Sequence, residues 1–320
     1  MALLEVQDLS ISIGRLAPLD RISFALDGGE ILGIVGESGS GKSLTAMAVM
    51  GLLPLIGGQI RGGTIRFDGV DLTGLDEAAY RRLRGRRIAL ITQNPMTSLD
   101  PLMRVGAQID QVARLHLGLS PGAAKQRSVE LMHQLRIPEA ATIHGQYPHQ
   151  MSGGMKQRIV IAMALAADPA LIIADEPTTA LDVTIQAQII QIMVELVRER
   201  GLALVLITHD MSVVAQACDR VVVLYGGRVA ESNAVAEIFA HPRHPYTREL
   251  IRCIPREGQA PGSLKGIPGL VPGVANYPAG CRFHPRCGDA QAICAHDVPV
   301  LRIDRDQAVA CHFSAAAGGA

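Results

Sequence analysis

The eight residues Gly36-Glu37-Ser38-Gly39-Ser40-Gly41-Lys42-Ser43 constrain the fold more than any other part of the chain. They follow the short apolar run Ile31 to Val35 and precede a helical pattern, so the unit reads strand, G-x-x-x-x-G-K-[ST], helix. The glycines let backbone N–H groups turn inward to cradle phosphates, and the helix opening at Lys42 points its positive dipole end at them. Lys42 is placed to pair with β- and γ-phosphates, Ser43 to ligate Mg²⁺, and Gly36, Ser38, Gly39, Ser40, Gly41 and Leu44 to complete the cradle.

Further apolar runs alternate with helical patterns: Ile88 to Thr92, Leu171 to Ala174, Leu204 to Thr208 and Val221 to Leu224. Buried strands separated by helices predict an α/β domain with a parallel sheet covered on both faces. A length of 320 residues suits about two domains. The 30 basic and 30 acidic side chains cancel, which argues against holding nucleic acid or an anionic membrane by bulk charge. Anion recognition must then be local. No apolar stretch approaches the ~20 residues that span a bilayer, and Met1 to Ile13 lacks a basic n-region and a long apolar h-region, so a cytosolic chain without a secretory signal is expected.

The run Leu171 to Ala174 ends in Asp175 and Glu176, two carboxylates at the edge of a strand. Asp175 is suited to hold the metal and Glu176 to polarise an attacking water. Between this pair and the P-loop lies Met151-Ser152-Gly153-Gly154-Met155-Lys156-Gln157-Arg158, with Ser152 reading as a helix N-cap. This segment resembles the signature motif of ATP-binding cassette (ABC) ATPases, some 20 residues before the carboxylate pair as in that family. Gln93 resembles the Q-loop glutamine, which implies contact with Mg²⁺ and the reacting water. Ala180-Leu181-Asp182 resembles the D-loop, and His209 the switch histidine.

The resemblance implies a P-loop NTPase fold with a RecA-like core and a helical subdomain at about 94–165, within a nucleotide-binding domain at 1–238. It also implies a dimer in which ATP lies between one P-loop and the partner's signature motif, so Ser152, Gly153, Gly154 and Asp182 serve the partner's nucleotide. Ile13, after Leu9-Ser10-Ile11-Ser12, stands where the family usually places an adenine-stacking aromatic ring, so apolar contact replaces stacking. Met155 stands where many members have glutamine and reads as a mark of the peptide-transporter branch.

Composition shifts near residue 238: nine of the 18 prolines lie between Pro242 and Pro299, predicting a loop-rich second region at 239–320. His244-Pro245-Tyr246-Thr247 and Gly280-Cys281-Arg282-Phe283-His284-Pro285-Arg286-Cys287 resemble the C-terminal extension of oligopeptide and dipeptide permease ATPases. Of six cysteines, Cys281, Cys287, Cys294 and Cys311 crowd into the last 40 residues with spacing C-x5-C-x6-C-x16-C. That spacing lacks the close knuckles of structural zinc sites and suits a bulkier cluster. The resemblance implies a [4Fe–4S] cluster on these four; zinc with His284 or His312 as substitute ligands, and free buried thiols, stay open.

The reading that follows is the ATP-hydrolysing subunit of an importer for di- and oligopeptides, peripheral on the cytoplasmic side of the inner membrane. The resemblance implies two integral-membrane permease subunits, a second ABC ATPase subunit (a related chain or a second copy), an extracytoplasmic substrate-binding protein, and no nucleic-acid partner. Three alternatives stand beside it: nickel- or glutathione-like cargo, a soluble ABC ATPase scaffolding a non-transport process, and a redox-sensing extension for which the ATPase is only a switch.

Overall fold

A computed structural model of the chain describes residues 2–178, 182–255, 258, 266–304 and 307–314. In chain order the elements are β1 (Leu4–Ile13), β2 (Leu16–Leu26), β3 (Ile31–Val35), α1 (Lys42–Val49), β4 (Gly58–Phe67), β5 (Val70–Asp71), α2 (Glu77–Leu83), β6 (Ile88–Ile91), α3 (Pro95–Ser98), α4 (Val105–Leu117), α5 (Pro121–Gln134), α6 (Ala140–Ile143) and α7 (Gly153–Leu165). There follow β7 (Leu171–Asp175), α8 (Val183–Glu199), β8 (Ala203–Thr208), α9 (Met211–Ala217), β9 (Arg220–Tyr225), β10 (Arg228–Ala234), α10 (Val235–Ala240), α11 (Pro245–Arg252), α12 (Ala292–His296), β11 (Arg302–Asp304) and β12 (Gln307–Val309). They group into two compact units, one of residues 1–26, 31–73 and 208–320, the other of residues 27–30 and 74–207.

In the first unit, β1 is the centre of an antiparallel sheet ordered β2-β1-β4-β5. Leu4, Val6, Leu9, Ile11, Leu19, Ile22, Leu26, Ile65 and Phe67 leave that sheet almost wholly buried. At about 1.5–3 kcal/mol for each fully buried large side chain, these residues account for much of what holds it in place. Hydrophobic patterning along the sequence does not announce these strands. The cause is local: β1 shifts register between Val6 and Leu9, where Asp8 turns left-handed (φ 47°), so hydrophobic alternation is interrupted.

The same unit carries β3 paired in parallel with β9, in register Leu32↔Arg220 to Val35↔Val223. Strand β9 then pairs antiparallel with β10, β10 with β12, and β12 with β11. The sheet is therefore mixed and not wholly parallel as the apolar runs suggested. The C-terminal region is loop-rich, yet its short strand β12 pairs onto β10 and β11 onto β12, covering backbone groups of β10 that an edge would leave open.

In the second unit, β6, β7 and β8 are parallel neighbours, with Ile88↔Leu171 and Leu171↔Ala203 in register. Helix α7 buries Ile159, Val160, Ile161, Ala162 and Leu165, so it is apolar around most of its girth, as a central helix must be. Helices α4 and α5 pack on α7 and on each other. Their starts are specified locally: Ser120 accepts from the Ala123 N–H at 3.4 Å, and Pro121 occupies the first helical position, where no N–H is needed. The five strands predicted from apolar runs are present with ends shifted by one residue at most.

Candidate functional site

The first unit places the whole P-loop between β3 and α1. Gly36 runs at φ 155°, and a Cβ there would lie 2.2 Å from the Leu224 carbonyl oxygen of β9, so only glycine lets the loop leave the sheet at this point. Gly41, at φ 100°, caps α1 without a side-chain bond, so the helix opens directly from the loop with its positive dipole end toward the P-loop. Lys42 is buried, and its Nζ donates to the carbonyl oxygens of Gly36 (2.8 Å) and Glu37 (3.2 Å), so the ammonium lies across the loop and not along the surface. Ser40 is also buried, whereas Ser43 lies exposed on α1.

Ile13 ends β1 opposite Leu16 and Gly58, half-buried at the tip of the antiparallel sheet. His209 follows β8 and is exposed. Its turn is fixed on both sides: the Asp210 N–H donates to Thr208 Oγ1 at 3.0 Å, and Asp210 caps α9 by accepting from the Ser212 N–H at 2.7 Å.

The second unit brings together two residues that the sequence assigns to the reaction. Gln93 Nε2 donates to Glu176 Oε2 at 3.2 Å, joining positions 83 residues apart. Asp175 is the last residue of β7, and the Glu176 N–H donates to the Ile207 carbonyl at 2.9 Å. Glu176 holds a left-handed backbone (φ 45°) that a non-glycine residue adopts at a cost. Ser152 caps α7, its Oγ accepting from the Met155 N–H at 3.3 Å; Ser152 and Gly153 are exposed while Gly154 is buried against Ile185. Asp182 is exposed at the N-cap of α8, and the Ala180-Leu181 part of the D-loop call lies outside the described residues.

For the four C-terminal cysteines the structure supports less than the resemblance implies. Cys281, Cys287, Cys294 and Cys311 do line one cavity of about 230 Å³, shared with His244, Phe283 and His312. Among the described residues, however, no group of three or more His, Cys, Asp or Glu side chains stands close enough to hold a metal ion. All four are free cysteines. Burial, with the neighbouring Cys294, Cys287 and Cys311 adding to it, pushes the Cys281 thiol up to about 11, and burial raises Cys287 as well. The four side chains are spread round the cavity wall.

Two contacts near the P-loop escaped the sequence reading. The Glu37 N–H donates to the phenol oxygen of Tyr246 at 2.9 Å, and Arg286 Nη1 donates to Glu37 Oε1 at 3.0 Å. The partners are 209 and 249 residues apart, so no local pattern could announce them.

A strand–P-loop–helix unit, a carboxylate pair ending a parallel strand, and a serine-capped glycine helix start define an ATPase of the ABC class. The ABC transporter family matches residues 19–179, and the family described as the C-terminal region of oligopeptide/dipeptide transporters matches residues 230–294. The dipeptide transport ATP-binding protein DppD of Escherichia coli is 46% identical over 318 residues, covering 98% of this chain and 97% of that protein. Its counterpart in Haemophilus influenzae is 44% identical over 316 residues, covering 98% and 96%. Among solved structures, the post-hydrolysis dimer of the ATP-binding cassette MJ0796 bound to ADP and Pi aligns with a TM-score of 0.65 at 26% identity, over 72% of this chain and 98% of that one. The chain belongs to the ABC transporter ATPase family, in its oligopeptide/dipeptide transport branch.

Proposed function

We propose that the chain is the ATP-hydrolysing subunit of an ABC importer, coupling ATP binding and hydrolysis to uptake of di- and oligopeptides across the cytoplasmic membrane. The observation that carries this reading is likeness along 98% of the chain to dipeptide transport ATP-binding proteins, including the C-terminal region.

Each residue then has a defined task. The P-loop N–H groups and the start of α1 bind the phosphates, and Lys42 Nζ turns from its loop carbonyls to the β- and γ-oxygens. Glu176 accepts hydrogen bonding from the attacking water, held in line by Gln93, and His209 donates to the γ-phosphate. The donors Ser43, Asp175 and Gln93 are hard oxygen ligands of the kind Mg²⁺ selects, and the ion when bound neutralises charge on the phosphate oxygens. Ile13 gives the base an apolar contact, and Ser152, Gly153, Gly154 and Asp182 face the nucleotide of a second ATPase subunit, a related chain or another copy.

The division of labour falls at 1–238 for nucleotide chemistry, with the helical subdomain at about 94–165 docking on two permease subunits, and 239–320 as the extension. An extracytoplasmic binding protein delivers the peptide through the permeases. No helix of the described residues is long and apolar enough to cross a membrane, so attachment on the cytoplasmic side is through those permeases.

In the extension, four thiols on one cavity supply the donor set of an Fe–S cluster, though drawing them together requires their deprotonation and movement. Cys281, Cys287, Cys294 and Cys311 would hold it as a structural staple for a region with little core of its own. Anaerobic reconstitution tests this: a visible charge-transfer band with iron bound supports the cluster, and a colourless chain with bound zinc or no metal rejects it.

The importer reading is tested by affinity capture of the full chain from membranes. Permease subunits co-purifying with it, and ATP turnover stimulated by peptide-loaded binding protein, are the expected result. A complex holding the chain without any membrane subunit sinks it.

A further inference from the structure

We infer that Arg286 and Tyr246, far along the chain in the C-terminal region, are positioning residues for nucleotide binding, holding the P-loop through Glu37. The inference rests on the reading that the P-loop binds ATP.

Glu37 is the second residue of the P-loop, and both of its polar ends are tied to the C-terminal region. Its N–H donates to the Tyr246 phenol oxygen, on a ring with no solvent exposure whose burial keeps the phenol protonated. Its carboxylate receives Arg286, whose side chain is only 5% exposed against 29% for Glu37. A pair so unevenly buried differs from a surface ion pair, because the guanidinium has left water and needs its counter-charge.

The Arg286 fork is in turn held on all sides: Nε donates to the Pro268 carbonyl at 2.8 Å, Nη2 to the Ile267 carbonyl at 3.3 Å, and Nη1 also to the Tyr225 hydroxyl at 3.2 Å. Tyr225, Tyr246 and Phe283 pack edge-on or tilted at 4.6 to 5.3 Å between ring centres, which makes the platform rigid.

The consequence reaches the nucleotide through one peptide unit. The Gly36 carbonyl, in the same peptide unit as the N–H that Tyr246 holds, accepts from Lys42 Nζ at 2.8 Å, so the tilt of that unit sets where the ammonium rests. A second grip lies beside it: the Gly227 N–H donates to the Ser40 carbonyl of the P-loop at 3.0 Å, and Arg282 donates to the carbonyl of Gly226 in the same turn. The C-terminal region thus braces the loop at both of its ends.

The test measures ATP affinity of the full chain with a fluorescent ATP analogue, alongside thermal melting and steady-state hydrolysis. Arg286→Ala and Tyr246→Phe are expected to weaken ATP binding roughly tenfold and severalfold, with KM for ATP rising more than kcat falls. Arg286→Lys should recover part of the loss. Glu37→Gln should weaken binding and lower the melting temperature somewhat, because Arg286 loses its counter-charge, and combining it with Arg286→Ala should add little further loss of binding. If Arg286→Ala does not fold, Glu37→Gln and Arg286→Lys carry the test. Folded variants that all bind ATP within about twofold of the parent, or a double variant whose losses simply add, overturn the brace. Lys42→Ala separates the two readings: should it bind ATP like the parent, the P-loop assignment itself has failed.

Discussion

At Glu176 the backbone is left-handed (φ 45°), a conformation that costs a non-glycine residue about 1–3 kcal/mol and persists where the surrounding structure over-determines it. Here the Glu176 N–H is fixed to Ile207 and its carboxylate receives Gln93, so the strain aims a side chain at the end of a strand. Two outcomes follow. Glu176→Gln should keep ATP binding while lowering single-turnover hydrolysis roughly 10²- to 10⁴-fold, the range set by losing a general base. Glu176→Gly should lose hydrolysis as well, yet melt no lower than the parent, because glycine relieves the left-handed cost that the contact to Gln93 had to offset. A scanning calorimetry trace showing Glu176→Gly clearly less stable would mean the position is not strained. The residue types of this site were legible in the sequence because P-loop and carboxylate spacing follow from backbone chemistry. The left-handed turn at Glu176 was not, since nothing in Asp175-Glu176-Pro177 distinguishes it from an ordinary turn.

At the scale of elements, apolar runs reported the strands well where flanking turns bound them, as with β3, β7 and β8. They failed for β1, β2 and β4, whose alternation is broken by polar residues and register shifts. They failed also for the ties that hold β2 to β10. Asp20 accepts from Arg228 Nε at 2.9 Å and Nη2 at 2.6 Å, with Arg282 Nη2 at 3.5 Å. Burial acts to raise the Asp20 pKa, but the hydrogen bond and charge of Arg228, then the charge of Arg282, outweigh it and hold the carboxyl below its ordinary value. The unfolded chain then takes up this proton at a higher pH than the folded one. Its stabilisation is present above the ordinary carboxylate pKa and is lost as pH falls through the lowered one. Asp20→Asn should therefore destabilise the chain by about 1–2 kcal/mol at neutral pH, a figure reduced from that of a fully buried charged hydrogen bond because Asp20 is partly exposed. It should also flatten the acid limb of a melting-temperature-against-pH curve. An acid limb as steep in the variant as in the parent would assign that limb to other carboxylates.

For the whole molecule, the composition shift near residue 238 is a statement about chain-local sequence, whereas compactness is decided by contacts. The proline-rich region belongs to the same compact unit as the P-loop, because Tyr246 and Arg286 reach back across 209 and 249 residues to the loop, and Arg282 across 56 to its backing turn. One chain nevertheless does not complete the proposed site, since Ser152 and the glycines after it are assigned to a partner's nucleotide. That assignment has an arithmetic consequence under self-pairing. Lys42→Ala chains lack a working P-loop, and Gly153→Asp chains lack a working signature helix, so each alone should be inactive. Random mixing in equal amounts makes about half of the dimers mixed, and each mixed dimer holds one intact composite site out of two, so about a quarter of the parent's sites should return. Recovery near that level is the expected result for self-pairing. If the mixture stays inactive but either variant turns over with a related ATPase chain whose motifs are intact, the second subunit is that relative. Activity from one variant alone would mean that the motif it lacks is not needed for turnover and would overturn that motif's assignment.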